Sequence, residues 1–307
     1  MQFITSYFRL IALLLLAGSG SPILGGCSAQ PKAPAFDSTN AFNILRKQCS
    51  FGPRPPGSPA HSQTRDYLAS ELRKYTDKVE LQDFEHSTGG KILNMTNIIA
   101  RFGGSDSKGI LLCAHWDTRP TADQELEAKD EQRPIIGAND GGSGVAVLLE
   151  LARMFRERPP AVPVTIVLFD GEDYGPTTKD MFLGSAHFAA RLIGNPFRYG
   201  ILLDMVGDKN LELYREGNSQ RHAKAVTDKI WAAAGKLGHS QFKDKVKYTI
   251  TDDHLPLIEA GVPTADVIDF DYAYWHTLAD TVDKCSVESL KVVGETIAQV
   301  VYSESPD

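Results

Sequence analysis

Four short apolar runs, at 110–114, 164–169, 198–203 and 265–269, alternate with longer helical patterns at 144–158, 183–193 and 219–237. Runs of this length suit buried strands and are too short for buried helices. Strand and helix taking turns along a chain predict a largely parallel sheet covered by helices on both faces. The expected fold is therefore α/β, a single-domain α/β/α sandwich around a central mixed, mostly parallel sheet. Upstream, the pattern predicts helices at 41–48 and 60–75, then strands at 79–85 and 92–102 joined by the turn STGG at 87–90. A further strand is expected at 211–214 and a closing amphipathic helix at 287–302.

The ends of the apolar runs carry the chemistry. His115 and Asp117 close the first, Glu172 and Asp173 follow the second, and Asp204 ends the third; His276 comes soon after the fourth. The segment PIIGANDGGSG at 134–144 puts Asp140 where a glycine-rich turn opens a helix. In an open α/β sheet, ligands gather where the carboxyl ends of strands meet loops. His115, Asp140, Asp173, Asp204 and His276 are two imidazoles and three carboxylates, the donor types of a zinc site. Asp117 lies two residues beyond His115, on the same side of an extended chain, and is placed to accept that ring's second N–H. Glu172 directly precedes Asp173; one acid can bind metal while the other faces the substrate as general base or acid. Trp275 is a candidate pocket wall beside His276, although a core tryptophan is the commoner case. Singly, an aspartate at a strand end is more often a helix cap and a histidine a hydrogen-bonded loop residue. That account fails for five such residues at predicted strand ends. His254 follows Asp252 and Asp253, and the remaining histidines lie on polar or helical stretches without an assigned role. Serine hydrolase chemistry is rejected, since there is no G-x-S-x-G elbow.

A net charge of -7 over 307 residues, with no Lys/Arg cluster, argues against a nucleic-acid partner. There is no P-loop, and the glycines at 141–144 follow a loop rather than a strand, which makes a poor dinucleotide fingerprint. Residues 1–26 combine one early basic residue, Arg9, with an apolar core at 10–17 that is too short to span a bilayer, and are expected to be a signal peptide. LGGC at 24–27 resembles a bacterial lipoprotein processing box with Cys27 as the lipidated residue. The expectation is an exported lipoprotein in the periplasm or at the cell surface, touching the membrane only through that anchor, or otherwise a secreted protein. Residues 27–36 read as a tether. Residues 37–307 contain no Pro/Gly-rich linker and are expected to form one zinc-dependent catalytic domain. No cysteine spacing suggests a metal finger. With Cys27 lipidated and Cys113 in a strand, Cys49 and Cys285 remain as a disulfide or as two free buried thiols.

HWD at 115–117, GANDGGSG at 137–144, FDGED at 169–173, LDMVG at 203–207 and WHT at 275–277 resemble the zinc aminopeptidase superfamily in its co-catalytic form. RPPGSP at 54–59, DDHLP at 252–256 and GVP at 261–263 are more similar to the glutaminyl-peptide cyclotransferases of the animal type. The resemblance runs from Asn43 to the end of the chain. It implies that Asp140, Asp173 and His276 bind a catalytic zinc, that Glu172 shuttles protons, and that Asp204 and Asp252 form an acidic network with it. It also implies that Trp275 lines the substrate pocket. In the aminopeptidases, His115 and Asp204 complete a second metal site bridged by Asp140, so one zinc is expected and two remain open. Trp275, where the aminopeptidases tend to have Tyr, and the run Asp252, Asp253, His254 favour the cyclase. Against it, the stretch 174–181 has no second pocket tryptophan, and Asp173 is a methylene shorter than Glu. The implied reaction converts N-terminal Gln of peptides or proteins to pyroglutamate with loss of ammonia. The alternative is hydrolysis of the first peptide bond by a metal-activated water. An inactive binding relative would have lost ligands or the glutamate, and none is lost here.

Overall fold

The computed structural model describes residues 33–104 and 107–306. The expected signal peptide, Cys27 and the tether up to residue 32 lie outside the described residues. Ala33–Asp307 is one compact unit.

The first helix, α1 (Ser38–Cys49), starts where the Asp37 side chain accepts the N–H of Asn40 at 2.9 Å. In α2 (Pro59–Arg73), Ser58 is the cap and proline fills the first turn, where a missing N–H costs nothing. Strands β1 (Val79–Thr88) and β2 (Lys91–Phe102) form an antiparallel hairpin through Gly89 and Gly90, both at positive φ. Alternation then begins with β3 (Gly109–His115), α3 (Ser143–Glu157), β4 (Val164–Phe169), α4 (Leu183–Ala189) and β5 (Phe197–Asp204). It continues with β6 (Leu213–Glu216), α5 (Gly217–His222), α6 (Lys224–Leu237) and β7 (Phe242–Tyr248). The chain closes with α7 (His254–Glu259), β8 (Thr264–Ile268) and α8 (Val287–Tyr302).

The main sheet runs β1-β2-β4-β3-β5-β8. Its β4, β3, β5 and β8 are mutually parallel, while β1 and β2 pair antiparallel at one edge, which gives the mixed, mostly parallel sheet expected. The period of two along each strand divides the core. Ile110, Leu112 and Ala114 of β3, with Ile201 and Leu203 of β5, pack against α3 and α8 on one face. Leu111, Cys113, Val167 and Leu202 point to the other face, toward Phe188 of α4 and Leu257 of α7.

Three local expectations differ. The helix predicted over 219–237 is broken at Ala223, where φ is -136 and ψ 33, and becomes α5 and α6. The helix predicted over 183–193 stops at Ala189. Strand β7 and helix α7 were not anticipated; β7 pairs with β6 in a separate two-stranded sheet, and its exposed residues carry no apolar alternation. Of the two alternatives left open for Cys49 and Cys285, the structure has the free thiols, Cys285 buried and Cys49 partly buried. Burial pushes the Cys49 thiol up to about 11, which disfavours the thiolate needed for disulfide exchange.

Candidate active site

The carboxyl ends of β3, β4, β5 and β8 converge on one spot, as a parallel sheet requires. The turn before α3 brings Asp140 there. Asp280 holds this turn, its two carboxylate oxygens accepting the N–H groups of Asn139 at 2.9 Å and Asp140 at 3.1 Å. Gly141 follows at φ +84, and a Cβ there would lie 2.2 Å from the Asp117 carbonyl oxygen and 3.1 Å from His115 Cε1. Only glycine fits a left-handed turn pressed this closely onto β3. Two non-glycine residues at the site also have positive φ, Met205 at 47 and His276 at 54. Such backbone costs energy and is held by its surroundings.

Asp117 behaves differently from expectation. Its oxygens accept the backbone N–H groups of Glu172 at 3.1 Å and Asp173 at 3.2 Å, while His115 Nδ1 stands 3.6 Å away. Its hydrogen bonds fix the acidic turn after β4, and at 3.6 Å it stands beyond hydrogen-bond distance of the His115 ring.

The expected ligands form two triads that share Asp140. Asp140, Asp173 and His276 each offer one atom within 4.8 Å of the others, and so do His115, Asp140 and Asp204. In the first, His276 Nε2 lies 3.3 Å from Asp173 Oδ1 and 3.7 Å from Asp140 Oδ2. Asp140 Oδ2 and Asp173 Oδ2 are buried with no hydrogen-bond partner. In the second, His115 Nε2 reaches Asp140 Oδ1 at 3.1 Å and Asp204 Oδ1 at 3.2 Å. Orphaned buried carboxylate oxygens facing an imidazole fit a zinc ion at the first triad.

Two residues that the sequence reading missed support this triad. Asp123 accepts the Nδ1–H of His276 at 2.9 Å, which leaves Nε2 to face Asp140 and Asp173. Arg119 donates to Asp123 at 2.8 Å and to Asp173 at 2.6 Å. Both belong to the loop after β3, whose Gln124 N–H also bonds the His276 carbonyl at 3.2 Å. An acidic, loop-like stretch gave no sign of this; the one clue was the proximity of Arg119 to His115 and Asp117.

Glu172, Asp204, Asp252 and Trp275 line a small cavity of about 60 Å³ with the first triad. His115 is buried and does not line it. Met181, Met205, Ile250, Ile268 and Phe270 complete the wall, with Met181 coming from the stretch that lacks a second tryptophan. Trp275 stacks on His276 with ring centroids 3.9 Å apart. A wider depression of about 710 Å³, lined by Asp208, Glu212 and Asp269, contains none of the candidate ligands.

Burial pushes the Glu172 carboxyl well above its usual range; His115 pulls it down, and Asp173, Asp252 and Asp253 push it up further. Burial and then the Asp204 charge raise Asp252 to about 7. Asp204 is also raised by burial, against the pull of His115. The three acids therefore line one cavity as a group in which each holds a proton more readily than a free carboxyl does.

Residues 97–301 match the model of peptidase family M28. The chain belongs to this family. Among solved structures, a glutaminyl cyclase from Bacteroides thetaiotaomicron bound to N-acetylhistamine is similar at 38% identity and TM-score 0.86, covering 89% of this chain and 100% of that one. A leucine aminopeptidase precursor from the same species is similar at 38% identity and TM-score 0.87, covering 89% and 99%. A bovine glutaminyl-peptide cyclotransferase-like protein is 26% identical over 264 residues, and the match takes in 74% of this chain and 66% of that protein. The chain thus spans just under two thirds of the bovine relative and all of the Bacteroides cyclase chain. The mostly parallel α/β sheet expected from the alternating runs, and the zinc aminopeptidase-like fold that the resemblance implied, are the fold of these M28 relatives.

Proposed function

We propose that this M28 protein is a glutaminyl-peptide cyclotransferase that converts the N-terminal Gln of peptides or proteins to pyroglutamate and releases ammonia. The observation that carries this reading is Trp275 stacked on His276 at the wall of a cavity of about 60 Å³. Space of that size suits one short side chain enclosed against an aromatic face. Peptides with N-terminal Gln are the substrates.

Asp140, Asp173 and His276 would hold one zinc ion. The orphaned oxygens of Asp140 and Asp173 support this count, whereas His115 Nε2 already bridges Asp140 and Asp204 at hydrogen-bond distance. A bound zinc supplies Lewis acidity to the side-chain carbonyl of the Gln. The chain's own residues do the rest. Trp275 and the apolar wall orient the side chain so that the substrate's tethered α-amine meets its amide carbon, an intramolecular attack with high effective molarity. Glu172 takes a proton from that amine as the new C–N bond forms and returns it to the amide nitrogen, which leaves as ammonia. Asp204 and Asp252 keep Glu172 in a proton-retaining acidic group.

A zinc aminopeptidase is the second reading, favoured by the intact second triad of His115, Asp140 and Asp204. The test is to incubate the zinc-supplied protein with Gln-Xaa and Leu-Xaa peptides and follow both by mass spectrometry. Ammonia loss from the Gln peptide with an intact Leu peptide is the expected result. Release of free Leu without cyclisation would replace the cyclase with the aminopeptidase.

A further inference from the structure

A second cluster of metal-type donors lies deeper than the pocket. Asp252, His254 and Asp266 each offer one atom within 4.8 Å of the others. They are 4%, 0% and 0% exposed, so water cannot reach them freely. They come from separate parts of the chain: Asp252 from the loop after β7, His254 from the start of α7, and Asp266 from the middle of β8.

The hydrogen-bond ledger here does not balance. Asp252 Oδ2, both Asp266 oxygens and both His254 ring nitrogens are buried without a partner. Buried polar atoms are almost always satisfied, so five in one cluster call for a missing partner. A proton on one acid joins it to one facing acceptor only. A single cation can take an oxygen from each aspartate and the ring nitrogen together.

Glu216 prepares the histidine for this. Its carboxylate is kept ionised by the N–H groups of Asn218 at 2.7 Å, Ser219 at 2.6 Å and Ile250 at 3.0 Å. Its Oε2 also lies 3.4 Å from His254 Nε2. A carboxylate on that side of the ring places the proton on Nε2 and turns the Nδ1 lone pair toward Asp266, whose Oδ2 is 3.8 Å away. Carboxylate, histidine and metal in this order is how proteins commonly set a ligating imidazole.

The geometry points to a second, buried site for a zinc-class divalent cation held by Asp252, His254 and Asp266, with Glu216 orienting the histidine. One nitrogen and carboxylate oxygens suit zinc or manganese better than calcium. The site ties α7 to β8. It also fixes Asp252, which lines the catalytic cavity, from behind. The inference does not depend on which reaction the pocket performs.

Metal content separates this site from both triads of the pocket. The full chain, supplied with zinc, is analysed by elemental mass spectrometry as wild type, His276→Ala, His254→Asn and the double variant. Expected are two zinc ions per chain in the wild type, one in each single variant and none in the double. A metal-free His276→Ala protein overturns the proposal. So does a double variant that keeps its ion, because that ion would then belong to His115 and Asp204. If His254→Asn does not fold, Asp266→Asn, which preserves shape, takes its place. Cobalt added to His276→Ala gives a second readout, a visible ligand-field band that the Asp266→Asn change removes; a band that survives it counts against the site.

Discussion

In the proposed reaction Glu172 handles the proton in both directions, and its burial suits it to do so. Because its carboxyl is raised well above the usual range, it holds a proton more readily than an ordinary carboxyl, yet it must be ionised to accept one from the amine. Turnover should therefore fall as pH drops through a value above the ordinary carboxylate pKa of about 4.3. An acid limb of kcat in the ordinary range would deny Glu172 this role. Glu172→Gln keeps the shape and removes the base, and is expected to lower kcat by roughly 10²–10⁴-fold with zinc content unchanged. Asp123 acts through His276 rather than on substrate. Asp123→Asn should weaken zinc binding by about 10–100-fold, read by competition with a chromophoric chelator. Unchanged affinity would show that the His276 ring is held by other means. The candidate ligands were legible in the sequence because they stand at or soon after the ends of apolar runs or, for Asp140, in the glycine-rich turn that opens a helix. Asp123 and Arg119 were not, because His276 and Asp173, which they hold, are more than fifty residues away and their loop has no period to read.

The turn between β3 and α3 presses Asp140, the shared candidate ligand, against the sheet. Gly141→Ala would put a methyl 2.2 Å from the Asp117 carbonyl oxygen on a backbone at φ +84. The left-handed conformation alone costs an L-residue about 1–2 kcal/mol, and the displaced carbonyl adds to this. The expected outcome is a lower denaturation midpoint together with loss of activity, since Asp117 also holds the turn bearing Glu172 and Asp173. A variant with wild-type midpoint and activity would mean that the turn can relax. This element was visible in the run of glycines at 141–144. Strand β7 was not, because a strand in a small sheet at the surface needs no apolar face; Lys243, Asp244, Lys245 and Lys247 give it the look of a solvated loop. The break between α5 and α6 was hidden for a related reason. Ala223 is a good helix residue by propensity, so its departure from helical φ/ψ leaves no mark in the sequence.

At the scale of the molecule, the proposed zinc site joins segments that only the finished fold brings together: the turn before α3, the turn after β4 and the loop after β8. Without an ion, Asp140 and Asp173 keep orphaned oxygens in a buried space, so the native state carries a cost that the unfolded chain does not. An ion that binds the native state alone stabilises it by mass action, by about 2.7 kcal/mol at a hundred times its Kd. For a domain of this size, each kcal/mol moves Tm by about 2–4 °C. Zinc added to stripped protein at that excess should therefore raise Tm by roughly 5–10 °C. His276→Ala should lose the pocket ion's part of that shift and keep the part due to the ion behind the pocket, while Glu172→Gln retains all of it, because one removes a ligand and the other only a base. Calorimetry on the three proteins decides the matter. An equal shift in His276→Ala would place the stabilising ion elsewhere, whereas loss of the shift in Glu172→Gln would make the glutamate part of the ligand set and require a different proton carrier.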